Sequence, residues 1–139
     1  MTKLDIYHYP VRVALEKDGW TITHDPFRLE IGDRRLEADL GAERLIQAEK
    51  AVRKIVVEIK SFVGRSEMKD LEQALGQYTL YHQIMTENHI ERQLYLAVPH
   101  RTFQSIFTIQ LGQILLKNQL LQLIVFDESR EEILLWIPE

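Results

Sequence analysis

Residues 54–60 read Lys-Ile-Val-Val-Glu-Ile-Lys, and that run constrains the fold more than any other. Its Ile and Val content predicts a buried strand over Ile55–Phe62. Charged side chains rarely sit in such a strand unless they are paired or bind a metal. Side chains alternate across a strand, so Glu58 and Lys60 share one face and Val57 and Ile59 the other. Asp39, in Arg35-Leu36-Glu37-Ala38-Asp39-Leu40, lies 19 positions before Glu58. Two carboxylates and a lysine at one end of a sheet can hold a divalent cation and steady a nucleophilic water beside a phosphodiester.

The chain has 139 residues, enough for one domain, 1–139, with a sizeable core. No apolar run is long enough to cross a membrane. Met1–Ile6 carries no signal-peptide pattern. Without cysteine there is no disulfide framework and no thiolate metal site. A cytoplasmic location is the expectation. The net charge of −4 comes from the end of the chain. Asp127, Glu128, Glu131, Glu132 and Glu139 face Arg130 alone there, and the remainder is balanced. A general nucleic-acid coat would be basic, so any DNA contact must be local or must use a partner or a metal.

Apolar spacing predicts a helix over 5–18 with Gly19 as its stop. Trp20–Thr23 reads as a strand, and His24-Asp25-Pro26 as a turn in which Asp25 bonds its own backbone. Phe27–Ile31 and Arg34–Leu40 flank Gly32-Asp33 as a hairpin. Glu43–Val52 fits a strand or a short helix. A long helix follows over 68–85, then a strand at Leu94–Val98 and a helix over 103–117 with Asn118 as its cap. Leu121–Phe126 and Ile133–Ile137 close the chain as strands. The expected class is mixed α/β.

An α-β-β-β-α-β order with these charges resembles the restriction-endonuclease-like fold, a mixed sheet flanked by helices. Here a C-terminal helix and strands follow that core. The superfamily's signature is Pro-Asp…(Asp/Glu)-x-Lys, and Ala38 stands where its proline would be. The resemblance implies that Asp39, Glu58 and Lys60 are catalytic, and that Asp39, Glu58 and the Ile59 carbonyl hold Mg²⁺ or Mn²⁺. Gln77 and Tyr81, neighbours on one helix face, resemble the Gln-x-x-x-Tyr motif of RecB-like nucleases and would meet substrate. Those nucleases place a histidine, and archaeal Holliday-junction resolvases a glutamate, at about the spot where His8 stands, so His8 joins the implied ligands with Glu16 as its competitor.

The whole chain is also similar to one family. Asp18-Gly19-Trp20-Thr21-Ile22-Thr23-His24-Asp25-Pro26, Val57-Glu58-Ile59-Lys60-Ser61-Phe62, Asp70-Leu71-Glu72-Gln73-Ala74-Leu75-Gly76-Gln77-Tyr78 and Arg92-Gln93-Leu94-Tyr95-Leu96-Ala97-Val98-Pro99 resemble the cyanobacterial XisH proteins, called fdxN element excision controlling factors. That resemblance implies a role beside a site-specific recombinase excising a DNA element, with an XisI-like partner. Many nucleases of this fold pair to cut two strands, so a homodimer is one state it allows.

Each residue also has a plainer reading. A Glu-x-Lys is more often an ion pair at a sheet end, and Gln77, Tyr81 and His8 are more often surface or core-edge residues. Two functions therefore stay open. One is metal-dependent nuclease chemistry during excision. The other is a non-catalytic accessory that binds DNA, the recombinase or the XisI-like protein on the same scaffold.

Overall fold

A computed structural model describes residues 4–139; Met1–Lys3, part of the stretch read for a signal, lie outside them. Helix α1 spans His8–Lys17, and Gly19, at φ +92°, turns the chain out of it. Strands β1 (Thr21–His24), β2 (Phe27–Ile31), β3 (Arg34–Ala38), β4 (Leu40–Ile46) and β5 (Ala51–Ile59) precede the long helix α2 (Glu67–Glu87). Strand β6 (Gln93–Pro99) follows. Next come a single turn α3 (His100–Thr102), a π-helical turn (Phe103–Phe107) and helix α4 (Gln110–Lys117). Strands β7 (Leu123–Asp127) and β8 (Glu132–Ile137) end the chain.

Six strands form one mixed sheet in the order β1-β4-β5-β6-β7-β8, while β2 and β3 make a separate two-stranded ribbon. Strands β5, β6 and β7 run parallel, and the flanking pairs are antiparallel. With the ribbon set aside, the sheet and its helices follow the order α1-β1-β4-β5-α2-β6. Alternation along β5 sends Ile55, Val57 and Ile59 to one face, where Val11, Leu15 and Trp20 pack. Val56 goes to the other, against Leu71, Ala74, Tyr78 and Tyr81 of α2, Leu29 of the ribbon and Leu115 of α4. Among the described residues no helix is long and apolar enough to cross a membrane.

Four expectations need correction. Glu43–Val52 is neither one strand nor a helix, because a turn at residues 47–50 closes the β4–β5 hairpin. The strand expected over Arg34–Leu40 breaks at Asp39, where the chain bends out of the ribbon and into the main sheet. The helix expected over 103–117 is interrupted. Ile109 is extended, and Gly112 brings α4 so close to the π-helical turn that a Cβ there would lie 2.2 Å from the Ile106 carbonyl oxygen. The first helix begins at His8 and not at Asp5, whose side chain instead accepts from the Tyr7 N–H at 2.8 Å and the Ser61 N–H at 3.0 Å.

Candidate metal and phosphodiester site

Strand β5 delivers Glu58 to its C-terminal end, on a carboxyl edge of parallel strands where open α/β sheets commonly bind ligands. Glu58 is 7 % exposed, and its Oε1 has no hydrogen-bond partner among the described residues. Burial pushes its carboxyl up to about 10, and the neighbouring Asp39 charge adds to this. A buried acid with an idle oxygen is costly unless something outside the protein completes it.

Asp39 sits at the bend between β3 and β4. Its Oδ2 accepts the Ile59 backbone N–H at 2.7 Å, which ties the bend to the end of β5. Oδ1 faces His8 Nδ1 at 3.7 Å, too long for a hydrogen bond. His8 opens α1 and is 6 % exposed; its Nδ1 is a second buried atom without a partner among the described residues. Its other nitrogen, Nε2, meets Asp25 Oδ1 at 2.7 Å, and Asp25 Oδ2 accepts from Arg12 at 2.5 Å. The neighbouring Asp39 raises the imidazole's pKa, burial opposes this, and Asp25 adds to the rise. The Asp25 side chain thus spans to α1, where a bond to its own turn was expected.

Lys60 lies just past β5, where its N–H still bonds the Ala97 carbonyl at 3.0 Å. Its ammonium donates to Gln73 Oε1 on α2 at 2.7 Å. Gln77 lies half-buried one helical turn beyond Gln73. Tyr81 is buried and donates to the Glu37 carbonyl at 3.2 Å, anchoring the ribbon that leads into Asp39. The structure therefore brings Asp39, Glu58, Ile59 and His8 together. It turns the Lys60 ammonium to Gln73 on α2 and gives Tyr81 a contact with the chain itself.

Asp5, Arg12, Asp25 and Gln73 escaped the sequence reading. Arg12 had a signal, since His8 and Arg12 are four apart on one helix and share a face. The contacts of Asp25 with His8 and of Asp5 with Ser61 had none, because the partners lie 17 and 56 residues away.

Among the described residues no three His, Asp or Glu side chains form a ready-made metal cluster. The donors nonetheless fit a divalent cation. Two buried donor atoms, on residues that neighbour Asp39, lack protein partners among the described residues, and the set is oxygen-rich with one nitrogen.

Comparison with known proteins gives the family. The family model described as XisH protein matches residues 1–134. A crystal structure of an XisH family protein from Nostoc punctiforme PCC 73102 is 36% identical, with a TM-score of 0.84, covering 96% of this chain and 99% of that one. A crystal structure of a fdxN element excision controlling factor protein from Anabaena variabilis is likewise 36% identical, with a TM-score of 0.83 and the same coverage. None of the curated proteins matches.

Proposed function

The chain belongs to the XisH family, and from that premise we propose that it controls excision of a DNA element by a site-specific recombinase, through a metal-dependent phosphodiesterase site on a restriction-endonuclease-like fold. The observation that carries the site is the pair of partnerless buried atoms, Glu58 Oε1 and His8 Nδ1, on two residues that both neighbour Asp39. The α-β-β-β-α-β order of the main sheet and its helices supports the fold reading.

Asp39, Glu58, the Ile59 carbonyl and His8 Nδ1 would hold Mg²⁺ or Mn²⁺. When bound, such an ion supplies Lewis acidity and charge for a phosphodiester transition state. The remaining work falls to the chain. The Ile59 N–H orients Asp39, burial keeps bulk water from Glu58, and Gln73 holds the Lys60 ammonium at the rim. From there Lys60 positions the attacking water and offsets the phosphate charge. Gln77 would meet the substrate backbone, with Tyr81 bracing the ribbon.

A second reading keeps the scaffold without the chemistry, as an accessory that binds DNA, the recombinase or an XisI-like protein. The acidic balance of the chain, −4 overall, favours it. Cleavage of linear and branched DNA with Mg²⁺ or Mn²⁺, with and without the XisI-like protein, separates the two. Metal-dependent cleavage lost in Glu58→Ala supports the enzyme. No cleavage under any condition leaves the accessory.

A further inference from the structure

Arg12 and Asp25 stand behind His8, away from the carboxylates that would bind a cation. A carboxylate facing a guanidinium on one oxygen accepts on the other. Asp25 Oδ2 takes Arg12 at 2.5 Å, so the proton in the 2.7 Å contact between Asp25 Oδ1 and His8 belongs to Nε2. In the neutral ring that leaves Nδ1 as the nitrogen whose lone pair is available. It is buried, it has no acceptor among the described residues, and it faces Asp39 Oδ1 at 3.7 Å. A histidine present only to balance charge would bring both ring nitrogens within hydrogen-bond distance of a carboxylate. His8 does so with one and holds the other about an ångström short of one. Metal-bound histidines are commonly oriented this way, by a carboxylate on the nitrogen that does not ligate.

We propose that Asp25, backed by Arg12, is a positioning residue that holds His8 with its proton on Nε2 and presents Nδ1 to the site, so that the site selects a cation that accepts nitrogen, Mn²⁺ ahead of Ca²⁺. This rests on the metal reading of the site and adds its selectivity. Ca²⁺ takes oxygen donors almost exclusively, whereas Mn²⁺ also accepts imidazole.

The test uses the full chain. Nitrogen-15 ring correlations of His8 in the metal-free protein at alkaline pH report the tautomer directly; the expected form carries its proton on Nε2. Calorimetric titration with Mn²⁺ and with Ca²⁺ then compares the unchanged protein with His8→Ala, Asp25→Ala and the isosteric Asp25→Asn, each checked by a thermal melt. Asp25→Ala should lose its tautomer preference. Both Asp25 variants should bind Mn²⁺ about 10–100-fold more weakly, as for other residues behind a metal ligand. Ca²⁺ affinity should change much less. A proton on Nδ1 in the unchanged protein overturns the proposal by itself. So does an equal loss of Mn²⁺ and Ca²⁺, or unaltered Mn²⁺ binding in a folded Asp25 variant. No Mn²⁺ binding by the unchanged protein overturns the metal reading as well.

Discussion

Asp39 Oδ2 accepts the Ile59 backbone N–H at 2.7 Å, so the carboxylate we propose as a cation ligand also fastens the ribbon exit to the end of β5. Substitutions at Asp39 therefore report on two things. Asp39→Ala removes the acceptor and leaves the Ile59 N–H without a partner, which costs about 1–3 kcal/mol. Asp39→Asn keeps an acceptor of the same shape and loses the charge. The expected outcome is a lowered melting temperature for Asp39→Ala, a near-native melt for Asp39→Asn, and weakened Mg²⁺ and Mn²⁺ binding in both. Native metal affinity in Asp39→Asn would place the cation elsewhere.

Glu58 sets a pH dependence whose sign is fixed by burial. Burial pushes its carboxyl up from 4.5 to about 10, with the Asp39 charge adding to the rise. Its influence on stability is therefore favourable at acid pH and is lost as the pH rises from 4.5 toward 10. Each pH unit in that window weighs up to about 1.4 kcal/mol against the fold. The raised pKa of His8 acts in the same direction, with its contribution lost above its own folded pKa. Glu58→Gln, neutral throughout, should be more stable than the parent at pH 8 and nearly equal to it at pH 4.5. Chemical denaturation at the two values measures this, and a pH-independent difference would contradict it.

The same proton links metal binding to pH. If the proposed cation binds the carboxylate form of Glu58, loading must expel the proton that burial favours there. Apparent Mg²⁺ or Mn²⁺ affinity should rise with pH, by up to about tenfold per unit for one proton. Calorimetry in two buffers of different ionisation enthalpy counts the protons released. A count of zero would show that Glu58 is not a ligand.

The fold was legible in the sequence wherever a pattern was local. The Ile-Val run of β5, the Gly32-Asp33 hairpin and the α2 stripe through Leu71, Ala74 and Tyr78 stand as expected. The XisH resemblance, carried by segments spread along the chain, also holds. The bend at Asp39 was not legible, because a period-two pattern continues through Leu36, Ala38 and Leu40 although the chain changes sheets there. The break before α4 was hidden for a related reason. Apolar residues keep helical spacing across Phe107–Leu115, whereas the chain is extended at Ile109 and α4 packs back on the π-helical turn at Gly112. Asp39, Glu58 and His8 could be singled out from the sequence for the proposed site, but the contacts of Asp25 with His8, Asp5 with Ser61 and Gln73 with Lys60 arise only through tertiary packing.

Gly112 gives a direct check on that packing. A Cβ there would lie 2.2 Å from the Ile106 carbonyl oxygen and 2.4 Å from the Phe107 Cα, both backbone atoms that cannot turn aside. In an ordinary helix Gly→Ala gains about 1 kcal/mol from propensity. Here overpacking should reverse the sign, with Gly112→Ala losing about 1–3 kcal/mol. Gly76, exposed on α2 with nothing near its Cβ position, is the control, and Gly76→Ala should stabilise. Matching gains in the two variants would contradict the close approach of α4.

Lys60 separates chemistry from architecture. Its ammonium is held by Gln73 and not by Asp39 or Glu58, so removing it breaks no ion pair within the site. A side chain at the rim contributes little to stability, because such contacts compete with water and side-chain entropy. Lys60→Ala should therefore melt like the parent. If the site cleaves DNA, this variant should lose cleavage with metal binding retained, since the lysine acts on the transition state. Gln73→Ala should fall between the two, with the ammonium present but unheld. In cells, excision lost in a well-folded Glu58→Ala/Lys60→Ala variant that matches the parent in binding to an XisI-like protein would assign the proposed control of excision to chemistry at this site. Normal excision by the same variant would leave the scaffold as a binding surface, with the carboxylates no longer part of its function.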